Sequence, residues 1–177
     1  MKETVEQYIA RISGLAGTSD PMTIIESTSA KIAETVKNLT DEQTRYKPSP
    51  EKWSIRQIVA HLVDSEMQLN SRVRWAAAES GKAIVAYDQD KWAATSRYQE
   101  VPVGQSLETF TVARKWMLQF LRQLTPAERE GYIMHEERGK ETLSHLLKMI
   151  AGHDLNHLKQ IGELAEASQA HATVGRS

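Results

Sequence analysis

Apolar positions recur along this chain at alternating spacings of three and four, which marks one face of a helix. Met22, Ile25, Ser29, Ile32, Val36 and Leu39 form the first long run. Ser19 or Asp20 can cap it, and Pro21 suits the first helical position. A second run, Ile55, Ile58, Leu62, Leu69, Val73 and Ala76, opens at Ser54 and stops at Gly81. Ser54 with Gln57 has the capping-box pattern. A third runs from Ser106 through Leu107, Phe110, Ala113, Met117, Phe120 and Leu124. The fourth starts near Thr142 with Leu143, Leu147, Ile150, His157, Ile161 and Leu164.

Shorter pieces fill the gaps. Val5, Ile9 and Ile12 predict a lead-in helix within residues 1–17. Thr40 to Gln43 repeats the capping box ahead of the turn at Pro48-Ser49-Pro50, and Thr125 to Glu128 caps another short piece. Residues 81 to about 105 read as irregular; a loop this long is functional or carries a short helix of its own. Gly131 to Glu141 reads as a polar connector, and Ser168 to Ser177 as a frayed polar tail. No stretch alternates with period two for long enough to require a sheet. The expectation is an all-α four-helix bundle, a single domain over 1–177 with its core at about 20–165.

Charge and composition narrow the chemistry. Lys+Arg is 22 against Asp+Glu 23, a net charge of −1, without the basic stripe of a nucleic-acid binder. Arg72 with Arg74 and Arg114 with Lys115 are isolated pairs on predicted helices. Cysteine is absent, which excludes disulfides, thiolate zinc sites, iron–sulfur clusters and a Cys nucleophile. The first residues carry Lys2, Glu3 and Glu6 rather than a signal-peptide core, and no apolar run approaches the ~20 residues that span a bilayer. A soluble, cytoplasmic protein with no nucleic-acid or membrane partner is expected.

Two histidines, His153 and His157, occupy the fourth apolar seam where Leu or Ile would fit the pattern. Residues four apart are helical neighbours, so both rings can converge on one ion at ≈ 2.0–2.1 Å. The same spacing also suits two buried histidines hydrogen-bonded to polar neighbours. His61 lies between Ile58 and Leu62 at the edge of the second seam, either as a boundary histidine or as a third ligand. A His on each facing seam is how bundles build a core metal site. His145 is about two turns from His153, too far to share an ion; His135 lies in the polar connector and His171 in the tail. Asp154 makes a poor zincin general base, and orienting a ring or facing solvent suits it better. Asp64, one turn beyond His61, has three readings: acceptor for an imidazole N–H, fourth ligand, or surface carboxylate. Arg72 could hold an anionic substrate or sit on a solvated face. Tyr87 and Trp92 could wall a pocket or simply pack the loop.

With these residues in place the sequence resembles the DinB-like superfamily, and more closely its YfiT-like branch of bacillithiol S-transferase-type proteins. The carrying segments are Trp53 to Glu66, Tyr87-Asp88 with Trp92, His135-Glu136 with Gly139, and His153 to Ile161. The resemblance implies a four-helix bundle, one divalent metal ion per chain (zinc or nickel) on His61, His153 and His157, and a possible homodimer. It also implies metal-dependent transfer or hydrolysis, often with a low-molecular-weight thiol. Two departures stand out: Glu136 follows His135 where the branch has Pro, and Asp154 to Asn156 are more polar than usual. The expected activity is transfer of a small-molecule thiol to an electrophile. Hydrolysis with the same ion, or metal binding without catalysis, are the alternatives.

Overall fold

The computed structural model describes residues 3–174. Its element order is α1 (Val5–Leu15), α2 (Pro21–Val36), α3 (Asp41–Arg45), α4 (Ile55–Ala78), β1 (Lys82–Ile84), α5 (Gln89–Thr95), a 3-10 turn (Tyr98–Glu100), α6 (Val103–Gln123), α7 (Pro126–Arg129), β2 (Tyr132–His135), β3 (Gly139–Thr142) and α8 (Leu143–Val174). Each start expected from capping chemistry is present. Asp20 accepts the N–H groups of Met22 and Thr23 ahead of Pro21. Thr40, Ser54 and Thr125 each form a complete capping box.

The bundle is α2, α4, α6 and α8. α2 packs on α8 and α6, α4 packs on the same two, and α1 lies along α8. Its core falls into two clusters. One holds Ile25, Val73, Met117, Leu121, Leu146 and Ile150; the other holds Ile32, Ile55, Ile58, Leu62, Phe110 and Ile161. Along every helix a polar residue separates them. Thr28, Glu66, Arg114 and Asp154, one per helix, are all nearly solvent-free. Arg114 bonds Glu66 at 2.8 and 3.0 Å and Asp154 at 2.6 and 3.2 Å, and the Thr28 hydroxyl donates to Asp154 at 2.8 Å. Burial works against the Arg114 charge, but the two carboxylates hold its pKa above the ordinary value.

The structure departs from several expectations of the sequence. The polar connector is a hairpin: β2 pairs antiparallel with β3 and parallel with β1, giving a three-stranded sheet in the order β1-β2-β3. Ile133 and His135 face inward while Met134 is exposed, so period two exists but lasts only four residues. The 81–105 stretch does carry a short helix of its own, α5, but also an unexpected strand, β1. The expected polar tail continues α8 as far as Val174, with Ser168 buried and His171 against the Tyr46 ring at 5.2 Å; residues 175–177 lie outside the described residues. Asp154, expected to orient a ring or face solvent, is buried on Arg114 instead. No described helix is long and apolar enough to cross a membrane.

Candidate metal centre

His61 on α4 and His153 and His157 on α8 meet beside the polar layer. The Nε2 atoms of His61 and His157 each lie 3.1 Å from Nε2 of His153, and the three ligand atoms all fall within 4.8 Å of one another. Tetrahedral ligands at ≈ 2.0–2.1 Å from an ion stand about 3.3 Å apart, so the spacing fits one cation. A ring nitrogen either donates or accepts, and three that converge on one another are not well served by mutual hydrogen bonds.

The surroundings keep the rings neutral, the form a ligand needs. Burial lowers the His61 pKa to about 3, helped by the charge His157 would carry. Burial likewise lowers His157 to about 4, against the raising effect of its bond to Gln160, and pushes His153 well below the ordinary value. Gln160, one turn beyond His157, lies 2.9 Å from its Nδ1 through Oε1. An Nδ1–H donated there leaves the Nε2 lone pair for an ion. The Nδ1 atoms of His61 and His153 are buried and have no hydrogen-bond partner among the described residues.

His61 and His153 of the triad line a cavity of about 370 Å³, with His157 against them. Ser65, one turn beyond His61 on α4, places its hydroxyl 3.2 Å from His61 Nε2 and 2.9 Å from the Tyr87 hydroxyl. Asp88 caps α5 through the N–H groups of Asp90 and Lys91. That helix sets Trp92 against the Tyr87 ring at 4.6 Å, so Tyr87 lines the cavity and Trp92 braces it from behind. Arg72 is buried and lines the same cavity, not a solvated face. Asp64 is half-buried and accepts a hydrogen bond from Tyr98 rather than from an imidazole, away from the ligand cluster. His145 stands apart, 4.0 Å from Glu141. His135, expected in a polar connector, is buried and lines the cavity.

Tyr8 and Arg138 also line this space and escaped the sequence reading. Neither has a local signal, since α1 and the β2–β3 turn reach the cavity only through the fold. Gln160 and Ser65 did have one, because each follows a ring of the triad by one helical turn.

The DinB superfamily sequence model matches residues 24–161. The chain belongs to this superfamily. Among curated proteins it is 30% identical over 142 residues to an Oceanobacillus iheyensis protein named "Putative metal-dependent hydrolase", covering 80% of this chain and 82% of that one. A Bacillus mycoides protein of the same name is also 30% identical over 142 residues, with the same coverage. Among solved structures the fold resembles YfiT from Bacillus subtilis, described as "a probable metal-dependent hydrolase with an unusual four-helix bundle topology". That match has a TM-score of 0.77 and 24% identity, and covers 94% of this chain and 90% of the other.

Proposed function

We propose that His61, His153 and His157 hold one divalent cation and that the protein is a metal-dependent enzyme transferring a small-molecule thiol to an electrophile. The observation that carries this is the convergence of three neutral imidazole nitrogens, two of them on the wall of a cavity, in a chain without cysteine. A bound ion would supply Lewis acidity, favouring the ionised form of a thiol or water at the site.

The chain's own groups favour a thiol. Asp64, set apart from the triad, is committed to Tyr98, and Glu66 and Asp154 to Arg114, so none of these three carboxylates is free to act as general base. A thiol, with a free pKa of ≈ 8.5 against 15.7 for water, needs the least help to lose its proton. Burial raises the Tyr87 pKa, so that phenol keeps its proton and, with the Ser65 hydroxyl, can hold or pass one beside His61. The names of the relatives support the second reading, hydrolysis at the same ion.

Elemental analysis after reconstitution should find about one divalent ion per chain; none would overturn both readings. Consumption of a generic electrophile that requires metal and thiol together supports transfer. Metal-dependent ester or amide cleavage without thiol replaces it with hydrolysis. Tight metal without turnover leaves a binding bundle.

A further inference from the structure

Arg72 is 7% exposed, yet it has no ion pair or hydrogen bond among the described residues. The other buried arginines, and Arg138 on the cavity wall, are committed. Arg56 is paired with Asp41 and bonded to Thr44, Arg114 holds Glu66 and Asp154, and Arg138 is forked onto Glu141 at 2.9 and 3.0 Å. Acidic groups on the same cavity wall are also taken, Glu141 by Arg138 and Glu3 by Arg11, while Glu137 is exposed. Burial lowers the Arg72 pKa, and the neighbouring Arg138 charge lowers it further, but a guanidinium does not give up its proton. A buried charge without a partner is costly unless something pairs with it.

A second donor lies on the same wall. The Glu137 N–H donates to His135 Nδ1 at 3.2 Å, which fixes the proton of the neutral ring on Nε2. That Nε2–H is buried and has no partner. Burial, with the charges of Arg138 and Arg72, holds the His135 pKa at about 4, so the ring is a neutral donor. Among the described residues no lysine lines the cavity. One guanidinium and one neutral N–H suit a single negative charge, and a planar carboxylate matches the arginine fork.

Arg72 lies about three turns beyond His61, roughly 16 Å along the α4 axis, and side chains lean toward the helix N-terminus, here toward His61. We propose that the substrate of this site is a small elongated anion whose carboxylate pairs with Arg72 at one end of the cavity while its reacting group reaches the triad at the other. The second half rests on the metal-centre reading; the carboxylate subsite does not.

The test uses full-length protein freed of metal with 1,10-phenanthroline, a chelator without carboxylates, at pH 8, where His61, His135 and His153 on the cavity wall are neutral. Binding of n-butanoate is compared with that of n-butanamide, its neutral isostere, by calorimetry. Wild type should favour butanoate by about 10-fold or more. Arg72→Gln should abolish the preference, and Arg72→Lys should keep part of it. Equal affinities in wild type, or a preference that survives Arg72→Gln, would overturn the subsite. If Arg72→Gln does not fold, the Arg72 Nε–H resonance of wild type decides: butanoate should shift it and butanamide should not, and an unmoved resonance is fatal. His61→Ala run in parallel separates the two readings, since it should lose metal but keep the butanoate preference. Absence of metal binding with the preference intact counts against the metal centre alone.

Discussion

Three imidazoles buried between apolar clusters are stable there only while uncharged, and that gives stability a pH dependence. Unfolded-chain histidines protonate with pKa ≈ 6.5, whereas His61 does so at about 3 and His157 and His135 at about 4. Between those values the unfolded state binds more protons. Stability of the metal-free protein is therefore full above pH ~6.5 and falls as pH drops toward 4. The urea midpoint should be clearly lower at pH 5 than at pH 7.5; a flat profile would mean the rings are hydrated. The partners of the triad differ in weight as well. Gln160→Leu removes the acceptor at His157 Nδ1 and should weaken metal binding by roughly 10–100-fold. Asp64→Asn, which alters only the bond to Tyr98, should leave the metal dissociation constant unchanged. Arg114→Met strands Glu66 and Asp154 in the core and should cost about 3–5 kcal/mol in urea unfolding, the penalty of breaking a buried ion pair.

Among the elements, α1 buries little in the bundle core beyond Ile12, but it carries Tyr8 onto the cavity wall. Its seat depends on Gly152 of α8, where a Cβ would stand 1.8 Å from the Ile12 carbonyl oxygen. That neighbour is backbone and no rotamer change relieves it. Gly152→Ala should therefore push α1 off α8, at a cost of about 1–3 kcal/mol. Hydrogen exchange should rise in Val5–Leu15 ahead of the four bundle helices. Equal protection of α1 in the variant and wild type would show that the helices adjust together. Gly131 plays the same part between β2 and α4, its position closed by the Ala76 carbonyl oxygen at 1.8 Å.

For the whole molecule, the proposed ion links function to stability. A cation that binds only the folded bundle stabilises it by RT ln(1 + [L]/Kd), about 4 kcal/mol at a thousandfold excess over Kd. The two apolar clusters persist without it, so chelation should lower Tm yet leave the protein folded at 25 °C. His61→Ala, His153→Ala and His157→Ala should each lose most of the metal-dependent rise in Tm. His145→Ala and His171→Ala should keep it, because neither ring belongs to the cluster. Differential scanning calorimetry with and without added metal reads all five. A wild-type response in the three triad variants would move the metal elsewhere.

The seams and caps alone determined the four long helices, since the 3.6-residue period and the N-terminal donors are local physics. They also exposed His153 and His157, polar residues at apolar positions. The same test applies to Thr28 between Ile25 and Ile32, Glu66 between Leu62 and Leu69, and Arg114 between Phe110 and Met117. Taken by residue type, Arg114 was half of an isolated basic pair; taken by position, it belongs to the core. Tertiary structure alone decided the rest. Strands of three and four residues have too few local contacts to mark themselves, and β1 and β2 exist because they pair across a separation that includes all of α6. That pairing carries His135 into the cavity. Arg72 shows the same division: its place on α4 was plain, but its burial depends on α1, the hairpin and α8 closing around it, which no local spacing encodes.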